Sequence, residues 1–485
     1  MLDKSTREKY VVVVGLEVHA QLLTRSKIFS SDPNQYGAPP NTNISPITLG
    51  HPGTMPRLNK KVVEYAIRMG LACDCEITRY NIFDRKNYFY PDLPKGYQIM
   101  QDKTPICVGG GVYIRIPDKP ERKIKLHHIH LEEDAGKSIH LEDEPETLVD
   151  LNRAGVPLIE IVTEPDIRSS EEAYAALTEI RKLVRYLDIC DGNMEEGSMR
   201  CDANVSLMLK GATEYGKKVE VKNMNSIRNV QKAIDYEVER QMKLLEAGEN
   251  IPSETRLFNA TKGTTYSMRT KEELNDYRYF PEPDLCPMVV SDEWLEKIRA
   301  AMPALPHKLW HKFVDQYGLP AYDAEVLTET KAMARYFEDL CHHTTHFKAA
   351  SNWMMGPVRS YLNDHGCTIV GFPLAPDYLA SLVELVAQDK VSFAVASQKI
   401  FPQMLRDKQR SALEHAQAMN LLQESNTDSI KPLVEEILSD YPKKVEEYRK
   451  GKKGLLGMFM GEVMKRSKGK ANPKVANELL RKELG

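Results

Sequence analysis

Polar and apolar residues alternate strictly over residues 200–207, and no other part of the sequence constrains the fold as much. Successive side chains of a β-strand point to opposite faces of a sheet, so the alternation predicts a strand with one buried and one polar face. The polar positions are Arg200, Asp202, Asn204 and Ser206. A solvated sheet face usually carries Lys and Glu, which this face lacks, whereas Arg, Asp and Asn together are suited to binding phosphate and a metal ion.

A second segment, residues 15–21, continues the β-branched run Val11–Val14 and alternates in the same way. Glu17, His19 and Gln21 are expected on one face of this strand, and the other face is apolar. A carboxylate and an imidazole that project together from a rigid strand suit a divalent metal or a phosphate-transfer site. Taken alone, the segment is better explained as an exposed polar face.

Three His and three acidic residues fall within residues 127–134. The Gly-Lys-Ser triplet that follows resembles the end of a nucleotide-binding P-loop, but the first glycine of that motif is missing, which excludes it. A carboxylate pair for magnesium, Glu132 and Glu133, is the functional interpretation, and a solvated charged turn is an equal alternative. Alternation does not decide which carboxylate faces the site, because Ile124 and Ile129 imply opposite faces.

Strand, turn and helix signals follow one another over residues 219–228. Glu220 and Lys222 are expected on one face of a strand, and Asn225 or Ser226 can cap the helix that follows. A helix N-terminus favours anions, so this unit is a candidate platform for nucleotide phosphates. An ordinary strand-to-helix turn is the commoner explanation of such a pattern.

Residues 150–165 add a cation and a carboxylate to these candidates. Arg153, two residues before Gly155, can present a guanidinium group to phosphate. Glu160 lies in a strongly apolar strand, where a carboxylate needs a partner, and a structural ion pair is the alternative. Carboxylates that bind magnesium, with basic residues on the transferred group, are what phosphoryl transfer requires. The sequence contains no G-x-S-x-G nucleophile elbow.

Charge is distributed unevenly along the 485 residues, a length that suggests roughly two to four domains. Residues 441–485 hold 13 Lys and Arg against 5 Asp and Glu, a net charge of +8, in a chain whose net charge is −3. This basic tail is expected to bind an anionic partner such as RNA phosphate, and a solvated helical surface is an equal alternative. No apolar run approaches the length of a membrane span and the first residues are charged, so we expect a cytoplasmic protein with no membrane contact.

A proline-rich stretch, residues 281–306, separates a mixed strand and helix pattern from a helical one. Helices are predicted at residues 326–340, 376–388, 392–404, 411–423, 429–440, 455–467 and 473–484. The eight cysteines are scattered, and only Cys73 and Cys75 are close together, which does not support a tetrahedral zinc site.

In these segments the sequence resembles a known family, the B subunits of glutamyl-/aspartyl-tRNA amidotransferases. The run Asp-x-Asn-Arg-x-Gly-x-Pro-Leu-x-Glu-Ile-x-Thr-x-Pro over residues 150–165 looks like that family's signature at every defining position. Further characteristic stretches are GLEVHAQL (15–22), EEGSMRCDANVS (195–206), VEVKNMNS (219–226), DYRYFPEPDL (276–285) and SKGKANP (467–473). The similarity extends from about Tyr10 to Leu484.

The resemblance implies an α+β fold with three parts. Residues 1–292 would form a catalytic cradle domain similar to glutamine synthetase and the guanidino kinases. An α-helical domain, residues 293–405, and a small helical, basic YqeY-like tail that binds tRNA, residues 406–485, would follow.

The resemblance also implies the activity, that of a glutamine-hydrolysing carbon–nitrogen ligase. This subunit would use ATP and magnesium to phosphorylate the side-chain carboxylate of misacylated Glu-tRNA(Gln), Asp-tRNA(Asn) or both, and ammonia would displace the phosphate. An amidase partner, the A subunit, would release the ammonia from glutamine, and a small C subunit would complete a heterotrimer. The sequence leaves open which of the two tRNAs is used.

The strand faces and the resemblance together define the predicted site. The predicted catalytic residues are Glu17, His19, Glu132 and Arg200. The predicted ATP-binding residues are Arg153, Lys222, Asn223 and Arg228. The predicted magnesium ligands are Glu17, His19, Glu132, Glu133, Glu196 and Glu220. The cations expected to contact tRNA are Lys465, Arg466, Lys468, Lys470 and Lys474.

The sequence departs from the family at one point. Many members carry two cysteine pairs, near the positions of residues 27–31 and 45–48, where a zinc ion binds. Neither segment contains cysteine here, so we expect no structural zinc.

Two other classes of protein stay open beside the tRNA-linked enzyme. One is an ATP-dependent ligase that acts on a free amino acid, which the basic tail disfavours. The other is a non-catalytic RNA-binding scaffold, which the acidic and basic residues on the strand faces disfavour.

Overall fold

The computed structural model describes residues 4–141, 146–270, 277–423, 427–467 and 470–485. Asp276 of the DYRYFPEPDL stretch and the predicted tRNA-contacting residue Lys468 lie outside these ranges. The chain divides into two compact units, Met1–His307 and Lys308–Gly485. In the described part of the chain, no helix combines the length and apolar character that a membrane span requires.

The first unit is built on a mixed β-sheet. Its strands are β1 (Tyr10–Gln21), β2 (Glu76–Ile77), β3 (Tyr80–Asn81), β4 (Asp84–Asn87), β5 (Tyr97–Met100), β6 (Cys107–Val108), β7 (Gly111–Ile114), β8 (Arg122–Glu133), β9 (Lys137–His140), β10 (Thr147–Asp150), β11 (Pro157–Thr163), β12 (Met199–Leu209), β13 (Val219–Lys222), β14 (Glu254–Asn259), β15 (Thr264–Thr270), β16 (Phe280–Pro281) and β17 (Met288–Val289). The main sheet has the order β15-β14-β13-β12-β1-β11-β8-β5-β4-β16. β6 and β7 also pair with β8, and β2 pairs with β6, so β1 lies near the middle of the sheet.

The helices of the first unit are α1 (Lys4–Lys9), α2 (Lys60–Ala72), α3 (Ser170–Tyr186), α4 (Ile227–Glu246) and α5 (Asp292–Ala300), and α6 (Pro306–His311) spans the division between the units. Three of them, α2, α3 and α4, pack on the apolar face of this sheet, and α5 packs on α2. Side chains of Asn59, Ser169 and Ser226 cap α2, α3 and α4 by accepting backbone N–H groups of the first turn. The core between helices and sheet includes Leu16 and Val18 of β1, both fully buried.

A β-bulge in β8 resolves the conflict between Ile124 and Ile129. Val162 of β11 pairs with His128, but the next residue of β11 pairs with Leu126, so one residue of β8 is extra. An extra residue reverses the alternation of a strand, and both isoleucines therefore reach the same core. Beyond the bulge, Glu132 points to the polar face of the sheet.

The second unit is helical. Its helices are α7 (Ala321–Leu327), α8 (Lys331–Cys341), α9 (Phe347–Trp353), α10 (Arg359–Asp364), α11 (Pro376–Ala387), α12 (Phe393–Val395), α13 (Phe401–Arg406), α14 (Ala412–Ala418), α15 (Thr427–Asp440), α16 (Pro442–Arg449), α17 (Leu455–Arg466) and α18 (Pro473–Leu484), with π-helical turns at Lys312–Gln316, Met354–Val358 and Ala396–Ile400 and a 3-10 turn at Ile369–Gly371. The prediction of a single helix over 326–340 is wrong, because the chain forms two helices there, α7 and α8. The Thr330 side chain caps the N-terminus of α8 by accepting the N–H of Met333. The predicted α+β class, a mixed sheet with helices, is confirmed.

The end of the chain has a hydrophobic core of its own. Buried side chains of α15, α17 and α18 meet there, among them Val434, Phe459, Val463 and Leu480. Residues before the predicted basic segment thus pack against residues within it. The division into a helical domain and a tail at residue 406 stays a prediction.

Candidate active site

The sheet brings polar side chains from neighbouring strands onto one face. β1 lies between β11 and β12, antiparallel to both, and directly opposed residues of neighbouring strands point to the same face. His19 lies opposite Glu160 of β11 and opposite Arg200 of β12. Glu17, two residues earlier, lies opposite Asp202. Acids, an imidazole and a guanidinium group therefore share one surface.

The first acidic group, which we call the histidine cluster, consists of His19, Glu132 and Glu160. The His19 Nε2 atom is 3.4 Å from Glu160 Oε2 and 3.8 Å from Glu132 Oε1. One ligand atom of each residue lies within 4.8 Å of those of the other two. His130 adds a buried Nε2 atom 3.5 Å from Glu160 Oε2, and this atom has no hydrogen-bond partner among the described residues. The cluster has the donor atoms and the spacing of a divalent cation site.

The second group, which we call the lysine cluster, consists of Glu17, Asp202 and Glu220 with Lys222 among them. One carboxylate oxygen of each acid lies within 4.8 Å of those of the other two. The Lys222 Nζ atom is 2.5 Å from Asp202 Oδ2 and 3.1 Å from Glu220 Oε1. Asn204 donates its amide to Glu17 Oε1 at 2.8 Å. The ammonium group therefore already balances part of the negative charge.

The structure divides the residues that were predicted to share one magnesium centre. Glu17 and Glu220 belong to the lysine cluster, and His19 and Glu132 belong to the histidine cluster. Glu17 and His19 are two positions apart on β1, roughly 7 Å along a strand. The polar face thus offers two neighbouring candidate cation sites rather than one.

Opposite charges decide the protonation of His19. Burial alone would lower the pKa of His19, but the hydrogen bond and charge of Glu160, with the charge of Glu132, raise it to about 9. Burial would raise the pKa of Glu160, but His19 and His130 hold it well below its usual range. At neutral pH the pair is therefore an imidazolium and a carboxylate. Burial and the charge of Glu160 raise the pKa of Glu17.

Asp134 holds two arginines beside the histidine cluster. Its Oδ2 atom accepts hydrogen bonds from Arg200 Nη2 and from Gln21 Nε2, both at 2.8 Å. Arg153 Nε lies 3.8 Å from the same oxygen and donates to the carbonyl of Ala135 at 2.9 Å. Burial would raise the pKa of Asp134, but Arg200 and Arg153 lower it. Two guanidinium groups are thus fixed where they can bind an anion.

A cavity of about 260 Å³ opens over this face. Its lining includes the histidine cluster, Arg200 and Asp202. Lys86, Tyr88 and Gln98 complete one wall, and sequence reasoning had singled out none of these three. The cavity is therefore acidic at its floor, with cationic and aromatic groups at its edges.

Alternation along β8 separates the two adjacent glutamates. Glu132 faces the polar surface, whereas the Glu133 carboxylate accepts the N–H of Ile99 at 2.9 Å and pairs with Lys95. Glu196 lies exposed in the turn before β12. The structure places neither Glu133 nor Glu196 in either cluster, and Glu132 is the carboxylate of the adjacent pair that faces the site.

None of the four predicted ATP-binding residues lines the cavity. Arg153 and Lys222 contact two acids of its lining, Asp134 and Asp202, and the other two predicted residues lie elsewhere. Asn223 turns the chain after β13 with a φ of 68°, and its amide donates to the carbonyl of Phe258 at 3.2 Å. Arg228 is exposed in the first turn of α4 and lines a separate cavity with Arg181 and Arg185. Neither Asn223 nor Arg228 lines the cavity over the histidine cluster.

Sequence reasoning left three acids of the site unassigned, namely Glu160, Asp202 and Asp134. A signal was present for two of them. Glu160 was a carboxylate without a partner in an apolar strand, and Asp202 shared a strand face with Arg200. What the sequence lacked was the register between strands, which decides the partners of each acid.

The segments where the resembling family carries cysteine pairs contain hydroxyl groups around a carboxylate. Asp32 Oδ2 accepts hydrogen bonds from Ser45 Oγ, at 2.8 Å, and from the Thr48 hydroxyl. Ser30 Oγ lies 3.4 Å from Thr48 Oγ1. Structural zinc takes thiolate and imidazole ligands, so this donor set does not fit zinc. That the protein contains no zinc stays a prediction.

Acidic residues of the second unit form ion pairs with some of the cations of the tail. Arg466 Nη1 is 3.0 Å from Glu436 Oε1, and Lys474 Nζ is 2.8 Å from Asp389 Oδ2. The Arg466 side chain is 28% exposed, whereas the Lys474 and Lys465 side chains are 72% and 78% exposed, and Lys465 Nζ lies 3.9 Å from Glu462 Oε1. The cations predicted to contact tRNA therefore differ in how free they are to reach a phosphate.

Comparisons with known proteins agree over both units. The family model of the GatB/GatE catalytic domain matches residues 12–296, and the family model of the GatB domain matches residues 335–484. The B subunit of the aspartyl/glutamyl-tRNA(Asn/Gln) amidotransferase of Thermodesulfovibrio yellowstonii is 49% identical over 476 residues, 98% of this chain and 99% of the relative. The B subunits of the same name from Thermoanaerobacter pseudethanolicus and Geotalea uraniireducens are 48% and 49% identical, with the same coverage.

Proposed function

The chain belongs to the family of aspartyl/glutamyl-tRNA(Asn/Gln) amidotransferase B subunits, and on that premise we propose that it is the kinase and amidating subunit of the enzyme. It phosphorylates the side-chain carboxylate of misacylated Glu-tRNA(Gln), Asp-tRNA(Asn) or both with ATP, and ammonia displaces the phosphate to give the amide. The observation that carries this proposal is the pair of acidic clusters with fixed cations on one sheet face. Acids for magnesium and cations for phosphate are the groups that phosphoryl transfer needs.

The residues present fit magnesium. The histidine cluster offers two carboxylates and one imidazole, and the lysine cluster offers three carboxylates, the ligand type that magnesium prefers. The buried Nε2 atom of His130, which has no hydrogen-bond partner among the described residues, faces the histidine cluster. Magnesium bound there would neutralise charge on the transferred phosphoryl group.

The cations in the cavity and beside it have separate roles in the proposal. Arg200 and Arg153, held by Asp134, bind the anionic groups that meet over the acids. Lys222 offers a further cation once a phosphate competes with Asp202 for it. These residues position charge and need no covalent chemistry of their own, which agrees with the largely electrostatic catalysis of phosphoryl transfer.

We include the partners of the enzyme in the proposal. The curated relatives are named as B subunits, which supports an enzyme of several chains in which a different chain releases ammonia from glutamine. An amidase partner, the A subunit, then supplies ammonia to the cavity, and a small C subunit makes up the heterotrimer. The first unit is the cradle, with a fold of the glutamine synthetase and guanidino kinase type.

Replacing Glu17 or His19 tests the activity. Glu17→Ala and His19→Ala, each in complex with the amidase partner, should lose tRNA-dependent ATP hydrolysis by roughly 100-fold or more while the glutaminase rate of the partner is kept. Glu214→Gln, an exposed acid outside both clusters, is the matched control. Normal ATP turnover in both Ala variants would remove the clusters from the reaction.

Transamidation assays separate the substrates and the rival classes. The complex is given Glu-tRNA(Gln), Asp-tRNA(Asn), free glutamate and free aspartate, each with ATP, glutamine and magnesium. The proposal expects amide formation on at least one charged tRNA and none on a free amino acid. Amidation of a free amino acid would favour the ligase class, and ATP-independent tRNA binding alone would favour a scaffold.

The basic tail is proposed to bind the body of the tRNA away from the reacting end. A deletion of residues 441–485 would expose the core side chains Val434 and Ile437, so truncation after Gln423 is the cleaner test. It should raise KM for charged tRNA and flatten its salt dependence, by about one unit of slope for each lost phosphate contact. Lys465→Gln is the minimal version of this change. Unchanged tRNA affinity at physiological salt in the truncated protein would place RNA binding elsewhere.

A further inference from the structure

Four tyrosine rings form a continuous group beside the acidic cavity. Tyr88 and Tyr90 follow β4, and Tyr277 and Tyr279 precede β16. Centroids of the Tyr88 and Tyr90 rings are 6.0 Å apart, and those of Tyr88 and Tyr277 are also 6.0 Å apart. The Tyr277 and Tyr279 rings follow at 6.1 Å. All three contacts are edge-on, and we call these four residues the tyrosine cluster.

The backbone holds the two halves of the tyrosine cluster together. The N–H of Asn87 donates to the carbonyl of Tyr277 at 2.9 Å, and the Asn87 side-chain amide donates to the carbonyl of Arg278 at 2.7 Å. β16 then pairs with β4 through Phe280 and Arg85. The rings are therefore presented by paired chain segments, as a preorganised binding surface requires.

The outer rings of the tyrosine cluster are open to solvent. Tyr90 is 53% exposed and Tyr279 is 40% exposed, while Tyr88 and Tyr277 are half-buried. A single exposed tyrosine needs no explanation, but four rings in contact form an aromatic surface. In each edge-on contact the edge of one ring covers a face of its neighbour, so the ring surface open to a nucleic-acid base is that of the exposed outer rings, Tyr90 and Tyr279.

The tyrosine cluster is continuous with the candidate active site. Tyr88 lines the cavity of the histidine cluster, and its hydroxyl donates to Gln98 Oε1 at 3.4 Å. The Gln98 amide in turn donates to Glu132 Oε2 at 3.2 Å. Lys86 lines the same cavity, and its Nζ atom lies 4.8 Å from the centroid of the Tyr277 ring. Aromatic faces with an adjacent cation match the two parts of a nucleotide, its flat base and its phosphate.

We propose that the tyrosine cluster binds an adenine base whose attached group reaches the acidic cavity. This proposal rests on the proposed function, in which two substrates carry adenine next to the reacting group. One is ATP, and the other is a charged tRNA, whose terminal adenosine bears the amino acid. Stacking explains why rings rather than aliphatic side chains line this wall, and the Tyr88–Gln98–Glu132 connection fixes the wall relative to the acids.

Equilibrium binding to the assembled complex tests the proposal in two arms. Tyr90→Ala and Tyr279→Ala are titrated with ATP–magnesium in one arm and with misacylated tRNA, without ATP, in the other. At least one arm should weaken by about 5- to 150-fold, the range for loss of one stacked base. Tyr90→Phe and Tyr279→Phe should bind as the wild type does, because stacking needs the ring and not the hydroxyl.

A shortened tRNA identifies the source of the adenine. If the terminal adenosine is the ligand, tRNA that lacks it should bind the wild type and the Ala variants equally, and affinity for ATP should not change. If ATP is the ligand, the loss should be confined to the ATP arm. Tyr266→Ala, an exposed tyrosine on β15 that is 49% exposed, is the matched control and should leave both affinities unchanged.

Two results would overturn the proposal. One is binding of both ligands within twofold of the wild type in Tyr90→Ala and Tyr279→Ala. The other is an equal loss in the Phe and Ala variants, which would point to the hydroxyl groups instead of the rings. The proposed function would fail on a different result, namely that the wild-type complex does not amidate charged tRNA with ATP. Because the binding experiments involve no turnover, they can contradict the adenine proposal without bearing on the proposed function.

Discussion

The two acidic clusters on the polar face differ in what balances their charge. In the histidine cluster the positive charge is a proton on His19, held by Glu160. In the lysine cluster it is the ammonium group of Lys222, between Asp202 and Glu220. A proton can be exchanged for a metal ion without displacing a side chain, whereas a lysine must leave before a cation can enter.

This difference suggests different roles for the two clusters, although both are groups of acidic residues on the same sheet face. The histidine cluster is prepared for a cation that comes and goes with substrate, since releasing one proton frees its ligands. The lysine cluster is charge-balanced at rest, and its burial makes that balance part of the stability of the sheet.

The largest effect is expected from Glu160→Gln in the histidine cluster. The change removes the carboxylate that holds both His19 and His130, so ATP hydrolysis and amidation should fall by roughly 100-fold or more. The pKa of His19 should also fall below its value of about 9, which proton NMR of the imidazole would measure. Glu164→Gln, just beyond β11 and outside both clusters, is the control. An amidation rate within tenfold of the wild type would show that Glu160 has a structural role in the sheet and none in the reaction.

A smaller effect is expected from Lys222→Met in the lysine cluster. Removing the ammonium leaves three carboxylates facing one another, and we expect a loss of about 2 kcal/mol of stability, limited because the lysine is about one-third exposed. Magnesium at millimolar concentration should restore stability in the variant more than in the wild type, because the vacated position suits a divalent cation. Denaturant unfolding with and without magnesium measures both effects. If magnesium changed the stability of the variant and of the wild type equally, the proposed difference between the two clusters would be wrong.

The faces of individual strands were predictable from the sequence, but the partners across strands were not. Alternation is a local property, so it placed Glu17 with His19 and Arg200 with Asp202 on polar faces. Register is set by pairing over long sequence separations, and it sends Glu17 and His19 to different clusters. For the same reason Glu160, an isolated acid in an apolar run, was not recognised as the partner of His19.

Local irregularities account for other differences. The bulge in β8 adds one residue, which no alternation pattern reveals, and it decides that Glu132 rather than Glu133 faces the site. Apolar spacing also continued across the break between α7 and α8, where the cap at Thr330 starts a new helix. An inserted residue and a capping side chain are local features that the period of the hydrophobic pattern does not reveal.

A lysine elsewhere in the first unit, Lys27, sharpens the comparison with the half-buried Lys222 and gives the smallest expected effect. Lys27 is fully buried, and its Nζ atom donates to the carbonyl of Asn43 at 2.7 Å. Burial lowers the pKa of Lys27 from 10.5 to about 8, although Asp32 and other carboxylates act in the opposite direction. For Lys222 the order is reversed, because Asp202 and Glu220 outweigh burial and raise its pKa. The charge of Lys222 is therefore stabilised by its carboxylate partners, whereas the charge of Lys27 at neutral pH lowers the stability of the folded protein.

The sign of the pH dependence follows from these directions. Between pH 8 and 10.5 the unfolded chain keeps the proton on Lys27 and the folded chain releases it, so stability rises with pH in this window. Lys27→Met should abolish that part of the rise and should be more stable than the wild type at pH 7 by roughly 1 kcal/mol, since the desolvation penalty disappears while one hydrogen bond to Asn43 is lost. Denaturant unfolding at pH 7, 8, 9 and 10 gives the difference between variant and wild type, in which the titration of other groups cancels. Lys222→Met is the contrasting control, because the raised pKa of Lys222 makes no such rise below pH 10.5. If the difference between Lys27→Met and the wild type were constant from pH 7 to 10, Lys27 would be charged in the folded protein throughout, held by Asp32 in the way that Asp202 holds Lys222.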